Sequence, residues 1–258
     1  MQVRSLALTT ELALAATRGK ITDRGDYLVV ETPDDPGYYY GNLLVLPAPP
    51  QVGEVAYWTR RYVAELGAHP AVTLWWDGIT GDAGAADELR AAGFTIETSQ
   101  VMVADTVVAE PAPLPIRTLT PDEVLATADL AWTIGDRHDE SYRQFLHRRA
   151  AWQQRLVARS AARFWGAHDG GALVASLGLV PIGALARYQD VQTLPASRGR
   201  GLAGALLAAA ARDAAVERVV IIAEPASAAA RVYERVGFRT IERTASACRR
   251  PPGAPARR

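Results

Sequence analysis

Two stretches of this chain leave a helix and enter a strand in the same way. Leu89-Arg-Ala-Ala-Gly-Phe94 and Tyr233-Glu-Arg-Val-Gly-Phe238 each close with glycine, the residue that takes the left-handed turn at a helix end, and restart with phenylalanine. Each follows a strand, helix, strand series, so the chain reads as two copies of one α/β unit. Between the copies, Ala109-Glu-Pro-Ala-Pro-Leu-Pro115 carries three prolines in seven residues. Such a stretch neither continues a helix nor donates fully to a sheet. The boundary is therefore drawn there, with one domain over 1–110, a linker over 111–116 and a second domain over 117–248. The last residues, 249–258, mix three prolines with four arginines and have no large apolar side chain, so they read as a disordered basic tail.

In the first half, Thr9 and Glu11 open a helix that Gly19 closes, and residues 27–31 and 42–46 read as strands. A helix over 54–66 places Val55, Trp58, Tyr62 and Leu66 on one stripe, with Gly67 at its end. Strand 72–76, helix 83–92 and strand 95–103 follow, giving the order βαβαβ. In the second half, Thr120-Pro121-Asp122-Glu123 joins an N-cap, a first-turn proline and a capping-box glutamate, so a helix starts there and runs to about Trp132. Ser141 and Gln144 repeat the signal for a helix ending near Arg159, with Tyr142, Phe145, Arg149, Trp152 and Leu156 along one side. Strand 163–168 turns through Asp169-Gly170 into strand 172–180. Strand 184–193, helix 202–216, strand 219–223, helix 227–236 and a last strand, 238–244, complete the order βααβββαβαβ.

Charge and cysteine content narrow the partners. Lys+Arg and Asp+Glu both number 28, so the chain lacks the basic excess that draws a phosphate backbone or an anionic membrane. The unbroken small and apolar run 202–211 is about half a membrane span. Cys248 is the only cysteine, which excludes an internal disulfide and points to a reducing, cytoplasmic compartment. His69, His138, His147 and His168 show no metal-ligand spacing, and no metal site is expected. A single lysine among many arginines and alanines reads as the codon bias of a GC-rich, bacterial genome.

The stretch that bears chemistry is Arg198-Gly-Arg-Gly-Leu-Ala-Gly204, between a strand and a long helix. Glycines let the backbone turn with positive φ and let a ligand come close, so successive amides at a helix start can point at one anion. Arg198 and Arg200 add positive charge, and a diphosphate is the natural guest. Gly199, Gly201 and Gly204 satisfy G-x-G-x-x-G, and Glu224 lies where a ribose-binding acid belongs, so an NAD-dependent Rossmann dehydrogenase is one reading. Against it, only 34 residues follow Glu224, too few for the remaining parallel strands. Arg187-Tyr-Gln-Asp190 is also too polar for the centre of a parallel sheet.

The same residues resemble the acetyl-CoA pyrophosphate motif, Q/R-x-x-G-x-G/A, of the GNAT acyltransferase superfamily, and Ala229-Ala-Arg-Val-Tyr-Glu-Arg-Val-Gly-Phe238 looks like its later signature. The resemblance covers 117–248 and implies an α/β (α+β) fold of two GNAT-like domains, each a mixed, largely antiparallel sheet flanked by helices. The first is similar to a degenerate copy, with Pro47-Ala-Pro-Pro50 in place of the glycine loop and Leu89 in place of the tyrosine, so it is expected to bind no acetyl-CoA.

By that resemblance, acetyl-CoA is the co-substrate and the primary amine of a small molecule or peptide the acceptor. Arg198, Gly199, Arg200, Gly201, Leu202 and Ala203 would take the diphosphate, Val191, Gln192 and Thr193 the pantetheine, and Ser227 would replace the family's asparagine, here Ala226. Tyr233 is the candidate proton donor to the departing thiolate, since a phenol stays protonated at neutral pH. Some family members carry a glutamate base near Arg187; here Arg187 and Gln189 are candidates for orienting the acceptor, with His138 and Asp139 on the preceding loop. Strict alternation puts Arg187, Gln189, Val191 and Thr193 on one face of the strand and Tyr188, Asp190 and Gln192 on the other. A non-catalytic acyl-CoA sensor is the rival from outside the enzymes.

Overall fold

The computed structural model describes residues 1–214 and 216–251. They form two compact units, one made of residues 1–101 with the C-terminal stretch from Ile241, the other of residues 102–240.

The first unit runs α1 (Leu6–Ala15), β1 (Lys20–Asp23), β2 (Leu28–Glu31), β3 (Leu43–Leu46), α2 (Val55–Leu66), β4 (Val72–Trp76), α3 (Ala86–Ala91) and into β5 (Thr95–Ala104). The antiparallel pairs β1–β2 and β2–β3 are followed by a parallel pair, β3–β4. β1 is an addition to the sequence reading. Its four residues are short and half polar, and only pairing with the buried β2 makes them a strand. The core joins Tyr62 and Leu66 of α2, Leu74 and Trp76 of β4, and Leu89 and Phe94 around the helix end, and Trp58 packs against it. This matches the apolar stripe expected of α2.

The second unit runs β6 (Ile116–Thr118), α4 (Pro121–Val124), α5 (Thr127–Ile134), α6 (Glu140–Ala158), β7 (Arg163–Asp169), β8 (Ala172–Ile182), β9 (Leu185–Thr193), α7 (Leu202–Ala214), β10 (Arg218–Ala223) and α8 (Ala228–Arg235). Its strands lie in the order β10-β9-β8-β7-β6. β9–β10 is parallel and the other three pairings are antiparallel, which gives the mixed, largely antiparallel sheet flanked by helices. The same pairings rule out the doubly wound parallel sheet that the dehydrogenase reading needs. Leu202, Leu206 and Leu207 of α7 pack with Leu177, Leu179, Ala186 and Tyr188 on one face. α5 packs on β8 and β9.

Helix starts follow local chemistry, with two departures. Thr120 and Glu123 form the expected capping box, but the helix breaks after Val124, whose carbonyl accepts from the Thr127 hydroxyl at 2.7 Å, and α5 begins afresh. α6 is capped by Asp139 and not by Ser141: the Asp139 carboxylate accepts from the Tyr142 amide at 3.0 Å, and the Ser141 hydroxyl donates to it at 2.6 Å. A carboxylate is the stronger acceptor at a helix start, so it wins the position.

The proline-rich segment belongs to the second unit. Ala109, Ala112 and Leu114 pack against its core, and the Val108 amide donates to the Val236 carbonyl at 3.0 Å. Proline bars helix and sheet there without barring side-chain packing. The last strand, β11 (Arg239–Arg249), extends past Thr244 and pairs antiparallel with β4, Ser246 opposite Trp75 and Arg249 opposite Val72. Arg249 and Arg250 are thus ordered, contrary to the tail expected from sequence: the Arg249 guanidinium lies 5.1 Å from the Phe94 ring centre, and Arg250 bonds Glu97. The rest of that tail, 252–258, lies outside the described residues, as does Ala215.

Candidate active site in the second unit

The two parallel strands of the second unit pair only briefly. Leu185, Ala186 and Arg187 stand opposite Arg218, Val219 and Val220, and beyond them β9 continues to Thr193 and β10 to Ala223 without register partners in each other. A bulge lies on the part of β9 that β10 leaves unpaired and β8 still pairs. Gly178 of β8 faces Gln189 and Ser176 faces Gln192, so the single residue Leu177 answers to both Asp190 and Val191. Asp190 takes φ +51°, a left-handed value that costs a non-glycine residue about 1 kcal/mol or more.

The bulge corrects the alternation expected from sequence. Val191 joins Tyr188 against the α7 core, whereas Gln192 moves to the other face with Arg187 and Gln189. The strain at Asp190 is opposed by α6: Arg149 forms an ion pair with its carboxylate, and the buried Gln153 side chain donates to it. The Thr127 hydroxyl in turn lies 3.4 Å from Gln153 Oε1. Sequence reasoning missed this trio. Its one signal was Arg149, a charge on an otherwise apolar helix stripe, which requires a buried counter-charge. Arg187 is buried, with its Nε donating to the Tyr188 carbonyl at 3.2 Å, and Gln189 Nε2 donates to the same oxygen at 3.0 Å.

Past β9, a single 3-10 turn leads into the glycine cluster. Gly199 and Gly201 both take φ +76°, and a Cβ added at either would meet no atom within 4 Å. Both conditions matter: the backbone demands glycine, and the space before it is open. Gly204 differs, since a Cβ there would sit 3.1 Å from Val236 and 3.4 Å from Ala109, so this glycine serves close packing. The first bond of α7 runs from the Ala205 amide to the Gly201 carbonyl at 3.1 Å, and among the described residues the amides of Leu202, Ala203 and Gly204 have no acceptor. Leu202 is buried and anchors the turn. The exposed Arg200 pairs with Asp169 at 2.9 Å, and Arg198 Nε donates to the Thr193 carbonyl at 3.3 Å.

On the far side of β10, Ser227 caps α8 by accepting from the Ala230 amide at 3.1 Å, which leaves its hydroxyl hydrogen to donate. Ala226 before it takes φ +58°. Tyr233 is 6% exposed and packs on Phe238 with ring centres 6.0 Å apart. No hydrogen bond engages its hydroxyl among the described residues, and burial pushes its pKa up to about 12. Among the described residues neither loop candidate hydrogen-bonds to this group: His138 is exposed with its ring edge-on to Trp132 at 4.8 Å, and Asp139 caps α6. Arg137, Ser141 and the Tyr142 amide hold the Asp139 carboxyl well below the usual carboxylate range. Glu224 is exposed at the end of β10.

The corresponding place in the first unit is built otherwise. β3 and β4 pair to their last residues, Leu46 opposite Trp76. After Pro47-Ala-Pro-Pro50, the Gln51 amide donates to Glu54 at 2.9 Å and the Gly53 amide to Glu88 at 2.6 Å, so the unit's own carboxylates take the amides before α2. Leu89, fully buried, stands where the second unit has Tyr233.

Among the described residues, no cluster of three or more His, Cys, Asp or Glu is arranged to hold a metal ion, and no helix is long and apolar enough to cross a membrane. Residues 160–240 match the family described as acetyltransferase (GNAT) domain. No curated protein matches the sequence. Among solved structures, a conserved protein of unknown function from Staphylococcus epidermidis is similar with a TM-score of 0.73 at 12% identity, over 90% of this chain and 94% of its own. A GCN5-related N-acetyltransferase from Kribbella flavida gives 0.65 at 14% identity, over 98% of both chains. A tandem GNAT protein from the clavulanic acid biosynthesis pathway gives 0.54 at 18% identity, over 83% of this chain and 74% of its own. At these identities the likeness is one of fold.

Proposed function

We propose that this chain is an acyltransferase of the GNAT superfamily and transfers the acetyl group of acetyl-CoA to the primary amine of a small molecule or peptide, using its second unit alone. One observation carries the reading: an open glycine turn with unclaimed amides and two arginines follows a strand whose far half has no parallel partner. The fit to a diphosphate is specific, because a Cβ at Gly199 or Gly201 would project into the open space that an anion needs.

When bound, acetyl-CoA supplies a thioester carbonyl open to attack by a neutral amine. The amides of Leu202 to Gly204, with Arg198 and Arg200, would hold the diphosphate, and Arg200 would exchange Asp169 for it. The backbone of Val191 to Thr193, beyond the paired part of β9, offers amide and carbonyl groups to pantetheine, and the remaining hydrogen of Ser227 is a further donor. Tyr233 remains protonated through the physiological range; it would give its proton to the departing sulfur as the C–S bond breaks and regain one from the nitrogen that becomes the amide. Asp190 is paired with Arg149, and the hydrogen bonds that lower the Asp139 pKa leave its carboxylate a weak base, so neither is suited to deprotonate the acceptor. The amine then enters neutral, having released its proton to solvent. With a single, buried cysteine and so no internal disulfide, we take the cytoplasm as its compartment.

Two measurements on the full chain test this. Calorimetric titration with acetyl-CoA is expected to give one site per chain, and free thiol is expected to appear when a panel of amines, amino acids, peptides and aminoglycosides is added. Binding without thiol release for any amine would favour an acyl-CoA sensor, and absence of binding would end the acyltransferase reading.

A further inference from the structure

The bulge on β9 leaves two buried polar atoms without partners among the described residues, and they belong to residues opposite each other on neighbouring strands. Ser176 of β8 and Gln192 of β9 are register partners, with Cβ atoms about 5 Å apart in such a pair. Ser176 is 1% exposed and Gln192 half-buried, yet neither Ser176 Oγ nor Gln192 Oε1 has a hydrogen-bond partner among the described residues. Leaving such atoms unpaired costs about 1–3 kcal/mol each, so a fold that keeps both is unusual unless something else completes them. Both lie on the sheet face turned away from the α7 core, because Ala175, Leu177 and Val191 take the core side. That face is the one α5 covers, and it also carries Arg187 and Gln189.

We infer that Ser176 and Gln192 form a seat for the acceptor's amine, an assignment that rests on the acyl-transfer reading. Both orphan atoms are oxygens able to accept, and an amine nitrogen carries the hydrogens to satisfy both. The hydroxyl hydrogen of Ser176 can also rotate to donate to the nitrogen lone pair, so the seat holds either protonation state. The neighbouring carboxylate does not compete, since Arg149 and Gln153 already hold Asp190. The bulge is what creates the seat: without the extra residue, Gln192 would point into the apolar core. Gln192 thereby acts on the acceptor through its side chain, while its backbone stays available to pantetheine.

Binding of n-butylamine, with n-butanol as the isosteric control, tests the seat by saturation-transfer NMR on the full chain. Gln192→Glu, which places a charged acceptor at the same spot, is expected to strengthen butylamine binding at least about fivefold, and Gln192→Leu and Ser176→Ala to weaken it by a similar factor. Ser176→Ala should unfold at the same temperature as the wild type or higher, because it removes an unpaired buried hydroxyl. Equal butylamine affinity in all four proteins, or equal binding of butanol and butylamine by the wild type, would overturn the seat. Acetyl-CoA titration of the wild type is read separately: a chain that holds butylamine in this pattern but ignores acetyl-CoA keeps the seat and loses the acyltransferase.

Discussion

The parallel pairs β3–β4 and β9–β10 begin alike and end differently. In the first unit the pair is closed to its last residues, prolines follow it, and two glutamates occupy the amides before α2. In the second the pair parts after Arg187 and Val220, glycines with open space around them follow, and among the described residues the first three amides of α7 have no acceptor. On the proposed reading, an anion that binds the second turn would meet like charge and filled donors at the first. If that reading holds, a handful of residues at a strand end and a helix start separate a binding turn from a structural one.

The comparison is most exposed to Gly201→Glu. A side chain there forces a left-handed backbone on a non-glycine residue and sets a carboxylate where the proposed diphosphate would lie, so acetyl-CoA affinity should fall by about a thousandfold or more in calorimetry. Retained affinity would show that the two turns do not differ in the way claimed. Next in size is Tyr233→Phe, expected to lower kcat about a hundredfold while leaving the Kd for acetyl-CoA close to wild type. The raised pKa of Tyr233 sets a sign as well: the neutral phenol persists up to about pH 10, so kcat should show no alkaline decline below that point. Stability assigned to the buried neutral phenol is full below pH 10, the unfolded value, and is lost as pH rises through about 12.

Smaller effects probe the structural turn. Glu88→Ala frees the Gly53 amide and should destabilise the chain by roughly 1 kcal/mol in urea unfolding, without creating a second acetyl-CoA site. A stoichiometry of two in that variant would mean that one carboxylate alone separates the units. The smallest change is Ala226→Gly, which relieves a left-handed alanine and should stabilise by about 0.5 kcal/mol by the same assay.

Much of this was legible from residue patterns. β4 falls on residues 72–76 as read, and α2, α6, α8 and the β7–β8 hairpin follow from apolar period, caps and turn residues. The glycine turn was legible because positive φ restricts the choice of residue. The bulge was not, since an aspartate can take the left-handed region without announcing it. A trace existed nonetheless: the core-facing residues of β9 fall at Ala186, Tyr188 and Val191, a step of two followed by a step of three. The Arg149, Gln153 and Asp190 contacts depend on where α6 lies against the sheet, which no local pattern encodes. The return of the final strand to β4 was hidden for the same reason, because strand pairing is set by partners far apart in the chain.

That return has a consequence for synthesis. The ribosome delivers β4 before the second unit and β11 only after it, so of the two units the one begun first is completed second, and it must wait with an unfilled strand position while the other is translated. During that interval its exposed backbone invites foreign pairing. Arrested nascent chains ending at Thr240 should therefore be cut by protease within residues 1–101, and chains released at full length should resist.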